Sequence, residues 1–265
     1  MAESVTLNVV GGVAKLVLNR PEFGNAINEA LGDAFRSAID IIAEDSSVRA
    51  VLLTGAGKMF CVGGDIGMLG DVGKGLSSHM QRTVRPMHDA LMKLRHLPVP
   101  VVCAMNGPAG GGGVGVALCA DIVLAAESMK IKAGYSAIGL TPDFGVSWFL
   151  TRLLGPVRAK EMLFVNRPLD AHECLRLGII NAVYPDADLV VEADALVRLL
   201  AEGPTGALAE IKGLVESAMT VPLNEQMTLE RTRIISASAA RDCQEGVRAF
   251  LEKRPPVFAG RASID

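Results

Sequence analysis

The spacing of apolar residues predicts strands that alternate with helices along the first half of the chain. Two apolar runs flank Gly11-Gly12, a pattern typical of a β-hairpin. Asn28 is expected to cap the helix that follows, because apolar residues then recur at helical spacing as far as residue 43. A second helix is predicted over residues 78–95, with Pro86 bending it. Further strands are predicted over residues 48–54, 99–105 and 121–126. The alternation indicates βαβ units and a largely parallel sheet, so the chain is assigned to the α/β class.

From about residue 145 onward the pattern becomes helical throughout. Asp170 and Glu173 have the spacing of a capping box at the start of one of these helices. The helices are predicted at residues 146–154, 156–164, 171–177, 187–202, 204–218, 223–240 and 243–252. We expect this helical part to pack onto the sheet and onto neighbouring subunits.

Charge and hydropathy exclude several classes of function. The 265 residues carry a net charge of −3 with a pI near 5.9, so no general basic field attracts nucleic acid. The longest apolar run, residues 114–126, is too short for a membrane span and contains Asp121. The amino terminus lacks the basic and apolar regions of a signal peptide, and we expect a cytoplasmic protein. A mean hydropathy of +0.34 indicates apolar surface buried between subunits, although a large core could also account for it.

Cysteine and histidine spacing gives no sign of a metal site. The five cysteines are far apart and form no CxxC pair, which is typical of reduced thiols rather than disulfides or zinc ligands. The four histidines also lack ligand spacing and are interpreted as surface or packing residues. They are His79, His88, His96 and His172.

Two glycine-rich segments carry the strongest chemical signal. Each follows a predicted buried strand: residues 59–68 contain Gly63-Gly64-Asp65, and residues 106–115 contain Gly110 to Gly113. Glycine leaves backbone N–H groups open to an oxygen ligand, and parallel strands end at the same edge of a sheet. Both sets of N–H groups could therefore bind one oxygen, either of a phosphate or of an oxyanion formed during a reaction.

Five segments, in order along the chain, share their residues with one known family. They are Asn19-Arg20-Pro21 with Asn25-Ala26-Ile27-Asn28, residues 60–66, residues 106–112, residues 138–145 and residues 250–258. At the expected spacing over nearly the whole chain, these segments resemble the crotonase (enoyl-CoA hydratase/isomerase) family. The resemblance implies a crotonase-like ββα superhelix with a C-terminal helical region. By this resemblance, residues 1–195 form the α/β core with the CoA-thioester site and residues 196–265 a helical trimerisation region.

The resemblance also implies an acyl-CoA thioester as substrate and assembly into a homotrimer or a dimer of trimers. No separate cofactor is expected, because coenzyme A is part of the substrate. By position, the peptide N–H groups of Gly64 and Gly112 would bind the thioester oxygen and stabilise an enolate; packing could also require glycine at either position. The residues expected to contact substrate are Cys61, Val62, Asp65, Ile66, Gly111, Tyr135, Trp148 and Lys253. Cys61 is interpreted as a small buried thiol rather than a nucleophile.

The chain departs from the family's hydratases at both catalytic glutamates. Gly115 stands at the first glutamate position and Tyr135 near the second, so neither position holds a carboxylate. The carboxylate in this region is Asp143, in Thr141-Pro142-Asp143. Isomerases of the family resemble this chain in placing one acid there, and a single carboxylate can move a proton between two carbons. The alternative is that Asp143 only caps the helix beginning at Phe144.

Two further expectations concern the lining of the pocket and the coenzyme. An apolar lining would raise the pKa of Asp143, and it could come from Phe144, Val146, Trp148 and Phe149. The phosphates of CoA could be bound by Arg20, Lys253 or Arg254, with Lys253 preferred by analogy. The sequence therefore favours an enoyl-CoA isomerase. Hydration, thioester hydrolysis, C–C cleavage and a non-catalytic CoA-thioester-binding protein stay open as alternatives.

Overall fold

The computed structural model describes residues 3–65, 67 and 75–260. Its strands are β1 (Val5–Val10), β2 (Val13–Leu18), β3 (Ala50–Gly55), β4 (Val101–Met105), β5 (Ala109–Gly110), β6 (Ile122–Ala126), β7 (Lys130–Lys132), β8 (Leu169–Asp170) and β9 (Ala182–Tyr184). The main sheet has the order β1-β2-β3-β4-β6-β9, and a second sheet has the order β5-β7-β8. In the main sheet only the predicted β1–β2 hairpin is antiparallel; the other pairs are parallel. This is the mixed α/β fold that the apolar pattern predicts.

The helices agree closely with the predicted ones, but the prediction that the chain is helical throughout from about residue 145 is wrong. Strands β8 and β9 lie in that part, and β9 extends the main sheet by pairing with β6. They are α1 (Glu29–Glu44), α2 (Leu76–Arg95), α3 (Gly112–Leu118), α4 (Val146–Val165), α5 (Ala171–Arg176), α6 (Leu189–Glu202), α7 (Thr205–Ser217), α8 (Leu223–Ser238) and α9 (Arg241–Glu252). Asn28 caps α1 by accepting the N–H of Leu31, and Asp170 caps α5 by accepting the N–H of Glu173. Residues 146–154 and 156–164 are two helical pieces of α4, separated by the non-helical backbone of Gly155.

The main sheet buries both of its faces. On one face, Leu16, Leu53, Cys103 and Val123 lie side by side in register, and they belong to the core that includes the buried residues of α1 and α2. On the other face, alternate residues of β3, β4 and β6 pack against α6. Parallel strands covered on both faces are expected to be apolar throughout, as β4 is.

The helical carboxyl-terminal part contacts the sheet domain through α6, through Lys212 of α7, which pairs with Asp121 at 2.9 Å, and through one arginine near the start of β3. Arg49, which precedes β3, donates to the carbonyl oxygen of Gly203 at 2.7 Å and to that of Phe258 at 3.2 Å. Its Nε also donates to Thr205 Oγ1 at 3.2 Å. The predicted division at residues 195/196 falls inside α6, so the two parts share a continuous helix. In the described residues no helix is long and apolar enough to cross a membrane.

Candidate active site

The two glycine segments lie against each other at the carboxyl ends of β3 and β4. Cys61 and Ala109 form a parallel bridge, and Gly110 N–H donates to the carbonyl of Cys61 at 2.9 Å. A methyl group at Gly63 would lie 2.7 Å from the carbonyl oxygen of Gly110, closer than side-chain carbons approach such atoms. The backbones meet this closely only because glycine is present, as the sequence pattern predicts.

Gly64 and Gly112 differ in the space that is available for a side chain. A methyl group at Gly64 would meet no atom within 4 Å, whereas one at Gly112 would lie 2.3 Å from the ring of Phe144. Packing therefore explains the glycine at 112 and does not explain the one at 64. Within the described residues, neither backbone N–H donates to a backbone carbonyl. Gly112 is also the first residue of α3, where the N–H groups point out of the helix.

Buried polar contacts hold the first glycine segment in place. Asp65 accepts two hydrogen bonds from the guanidinium of Arg20, both at 3.1 Å, and each side chain is 13% exposed. Asn25 is fully buried and donates to the carbonyl oxygens of Met59 at 2.8 Å and Phe60 at 3.1 Å. Arg20 is thus engaged with Asp65, which gives both residues a structural task. Their predicted contacts with CoA and substrate stay predictions.

The side chains around Gly63 have contrasting environments. Cys61 is fully buried, its thiol donates to the carbonyl oxygen of Asn25, and burial raises its pKa to about 12. Such a thiol is a poor nucleophile at neutral pH, as the sequence interpretation holds. Val62 is 41% exposed and is the more accessible of the pair. Ile66, also a predicted substrate contact, lies outside the described residues.

Asp143 lies beside the second glycine segment and is hydrogen-bonded to Tyr135. The phenol O–H of Tyr135 donates to Oδ1 of Asp143 at 2.6 Å. A methyl group at Gly112 would lie 3.3 Å from this Oδ1, and one at Gly111 would lie 4.0 Å from the Tyr135 ring. The structure therefore brings together four of the predicted site residues, two glycines, a tyrosine and an aspartate.

The site favours a protonated Tyr135 and a carboxyl group with an elevated pKa. Burial raises the pKa of Asp143, while the hydrogen bond that its carboxylate accepts from Tyr135 opposes this rise. Burial, together with the adjacent carboxylate, raises the pKa of Tyr135. The phenol therefore keeps its proton and serves as a donor to Asp143, a function that the sequence analysis did not foresee.

Phe144 occupies the space that a side chain at residue 115 would need. Its φ is +47°, in the left-handed region, and it is 4% exposed. A methyl group at Gly115 would lie 2.2 Å from the carbonyl oxygen of Phe144. The chain therefore lacks both the first hydratase glutamate and the room for it.

Asp143 does not cap α4, so the alternative interpretation of this residue is wrong. The helix begins at Val146, and its N-cap is Gly145. Asp143 contributes its main-chain carbonyl, which accepts the N–H of Val146 at 3.0 Å. Its carboxylate is thus available to the glycine segments.

A separate cavity of about 410 Å³ lies on the far side of Phe144. Its lining residues are His88, Leu91, Met92, Arg95, His96, Cys119, Phe144, Gly145, Trp148, Phe149 and Glu216. Arg95 lies over the rings of Trp148 and Phe149, 5.3 and 5.2 Å from their centres. Among the described residues, neither Asp143 nor any glycine of the two glycine segments lines it. Of the predicted apolar lining of Asp143, Phe144 is in place, whereas Trp148 and Phe149 face this second cavity.

The basic residues near the carboxyl terminus lie at the end of α9. Arg254 pairs with Glu245 and Glu252, both at 2.6 Å. Lys253 is exposed and has no ion-pair partner in the described part of the chain. Its ammonium group is therefore unpaired among the described residues, and its contact with CoA stays a prediction.

His88 is a neighbour of the site that its sequence position does not reveal. Its Nε2 accepts the backbone N–H of Phe144 at 3.1 Å, and the two rings pack edge to face at 5.3 Å. The two residues are 56 positions apart. Residue type and spacing do not indicate this contact, because it depends on how α2 meets the turn before α4.

Comparison with known proteins identifies the family. The enoyl-CoA hydratase/isomerase family model matches residues 8–261. The chain is 38% identical to 1,2-epoxyphenylacetyl-CoA isomerase of Escherichia coli, over 98% of this chain and 100% of the relative. It is 32% identical to trans-2-decenoyl-[acyl-carrier-protein] isomerase of Streptococcus mutans, over 98% and 99%. A crystal structure of an enoyl-CoA hydratase from Polaromonas superposes with a TM-score of 0.91 at 31% identity, covering 96% of this chain and 99% of the other.

Proposed function

Because the chain belongs to the enoyl-CoA hydratase/isomerase family, we propose that it is an enoyl-CoA isomerase that shifts a double bond through an enolate. The substrate of this reaction is an acyl-CoA thioester with an unsaturated or ring-derived acyl group. Relatives named as isomerases and relatives named as hydratases both match the chain, so the choice rests on its own residues.

One observation carries the choice of isomerase. Asp143 places a carboxylate beside the second glycine segment, and the carbonyl of Phe144 fills the space of a side chain at residue 115. The other carboxylate of the glycine segments that the structure describes, Asp65, is engaged by the guanidinium of Arg20. A hydratase of this family needs two acids, one to activate water and one to deliver a proton. An isomerase needs a single group, because the proton removed from one carbon is returned to another.

The proposed reaction begins with a 3-enoyl thioester whose carbonyl oxygen accepts the N–H groups of Gly64 and Gly112. Asp143 takes a proton from C2, and the electron pair of that C–H bond forms the enolate. Asp143 then returns the proton to C4, which leaves the double bond between C2 and C3 and regenerates the carboxylate. Each N–H donor is worth roughly 2.7–4 kcal/mol at the enolate.

Tyr135 supports the same chemistry from the other side of the carboxylate. Its O–H donates a hydrogen bond to Oδ1 of Asp143, so Oδ2 is the oxygen that takes the proton from C2 and returns it to C4. Burial raises the pKa of the carboxyl group and strengthens it as a base. The geometry therefore supports Asp143 as acid and base in one residue.

Assembly into a trimer or a dimer of trimers is the second part of the proposal. Helices α8 and α9 expose large apolar side chains, as expected of a subunit interface. They are Leu223, Met227, Ile234, Ile235, Val247, Phe250 and Leu251. Light scattering of the purified protein measures this directly: a monomer at micromolar concentration would contradict it.

The decisive experiment compares Asp143→Asn with the parent protein. The probes are a six-carbon 3-enoyl-CoA and its 2-enoyl isomer, followed by ultraviolet absorbance and mass spectrometry. We expect the parent to form the conjugated thioester without a change of mass, and Asp143→Asn to lose about a thousandfold in kcat. Asp89→Asn, an exposed aspartate on α2, is the matched control and should keep full activity.

The other outcomes identify other reactions. A gain of one water on the 2-enoyl substrate would mean a hydratase, and release of free CoA would mean a thioesterase. Binding of both thioesters without any change would support the non-catalytic alternative. Full activity in Asp143→Asn would refute the role given to this residue.

A further inference from the structure

We infer that His88 is a positioning residue for Asp143, acting through the peptide group that joins Asp143 to Phe144. The inference rests on the proposed function, because it assigns His88 a part only if Asp143 carries the proton. His88 itself makes no contact with the reacting atoms in this proposal. Its contribution is to the direction in which the carboxylate points.

The peptide group between Asp143 and Phe144 is held at both ends. Its N–H donates to Nε2 of His88 at 3.1 Å, and its C=O accepts the N–H of Val146 at 3.0 Å. A peptide group is planar, so fixing both ends fixes its plane. The Cα–Cβ bond of Asp143 starts from this plane, and the hydrogen bond from Tyr135 then fixes the far end of the carboxylate.

The turn needs this support because its backbone is unfavourable by itself. Phe144 has φ of +47°, a conformation that residues with a Cβ atom avoid. In return, its ring packs against Gly112 and its carbonyl against Gly115. Without the acceptor on His88, the turn is free to relax toward ordinary backbone angles and to carry Asp143 away from Gly112.

The helix that carries His88 is itself fixed. Met87 is fully buried and Leu91 is 5% exposed, so this part of α2 is packed into the core on either side of the histidine. Nε2 of His88 accepts the Phe144 N–H through its ring lone pair. The rest of the ring lines the cavity beyond Phe144.

The test compares two variants at His88 and one at His96. Each is assayed at saturating and at limiting concentrations of 3-enoyl-CoA. His88→Leu removes the acceptor, and His88→Gln places an amide oxygen the same number of bonds from the backbone as Nε2. We expect His88→Leu to lower kcat about tenfold with KM unchanged, the loss of one hydrogen bond, and His88→Gln to recover most of it. His96→Leu is the control, because His96 is the C-cap residue that follows α2, lines the same cavity and bonds to the Met92 carbonyl rather than to Phe144.

Several results would overturn the inference. Parent-like kcat in His88→Leu would do so, as would an equal loss in His96→Leu or a failure of His88→Gln to recover the rate. If His88→Leu does not fold, His88→Asn replaces it, since its side chain is one bond too short to reach Phe144. Asp143→Asn, measured in parallel, separates the two proposals. An inactive Asp143→Asn with an unaffected His88→Leu refutes only the role of His88, and an active Asp143→Asn refutes both.

Discussion

Replacing Tyr135 with phenylalanine removes a single O–H group from the site and should change how the rate depends on pH. That O–H donates to Asp143 at 2.6 Å and stabilises the ionised carboxylate, which holds its pKa down against the effect of burial. Without it, the pKa of Asp143 rises further. The ring itself is 8% exposed and stays in place in the variant, so its packing is preserved.

The size of the effect follows from the strength of the lost hydrogen bond. A bond to a charged acceptor contributes about 1.5–3 kcal/mol, and one pKa unit corresponds to about 1.4 kcal/mol. We therefore expect the acidic limb of the kcat/KM profile to move to higher pH by about one to two units. At pH values above the new limb, the ionised fraction is restored and most of the rate returns.

The assay is the absorbance of the conjugated thioester, measured from mildly acidic to alkaline pH for the parent and for Tyr135→Phe. Tyr184→Phe is the matched control, because the chain has two tyrosines and Tyr184 lies on β9, away from Asp143. An acidic limb at the same pH in Tyr135→Phe and parent would refute the reasoning. So would a shift to lower pH.

The free energy of unfolding should also depend on pH through the raised pKa of Asp143. Asp143 has a raised pKa in the folded state, so the stability it contributes is fully present below its unfolded pKa and is lost as pH rises through its folded pKa. Tyr135→Phe raises the folded pKa further, so this loss extends to higher pH. Urea unfolding at several pH values measures it, and a stability loss of equal size at every pH would contradict the linkage.

Two more substitutions, one of them with a matched control, test the packing around Phe144 and the ion pair of the first glycine segment. Gly115→Ala places a methyl group 2.2 Å from the carbonyl of Phe144, so we expect a loss of about 1–3 kcal/mol in the free energy of unfolding and of most activity. Gly206→Ala, where no atom lies within 4 Å, should instead be neutral or stabilising, and similar urea midpoints for both variants would refute the clash. Asp65→Asn leaves the guanidinium of Arg20, 13% exposed, without its charge partner, so we expect a loss of about 1.5–3 kcal/mol in the free energy of unfolding and a loss of activity. Unchanged stability would show that the pair does not hold the first glycine segment.

The sequence predicts the elements well because their signals are local. The hairpin at Gly11-Gly12 and the caps at Asn28 and Asp170 depend on residues a few positions apart. The second sheet was not predicted, since β5 and β8 are two residues long and take their partners from distant parts of the chain.

The candidate site divides in the same way. Gly63, Gly64 and Gly112 are visible in the sequence because they belong to two glycine-rich segments, each of which follows a buried strand. The contact of His88 with Phe144 is not, because it depends on how α2 meets the turn before α4. The hydrogen bond between Tyr135 and Asp143 spans eight residues, but nothing in residue type indicates that the intervening turn directs both side chains to one point.

The hydrogen bonds of Arg49 to Gly203, Thr205 and Phe258 affect the order in which parts of the fold can form. The bond from its guanidinium to Phe258 joins residues 209 positions apart, so it can form only after nearly the whole chain has been synthesised. At about 5–20 residues per second, the strand that follows Arg49 leaves the ribosome roughly 10–40 s before its last partner does. During this interval the carbonyl of Phe258 is not yet available to Arg49, and the early strands are covered by helices that come before it in the chain. The contacts that join Arg49 to the carboxyl-terminal segment therefore form after the strands of the sheet have been synthesised.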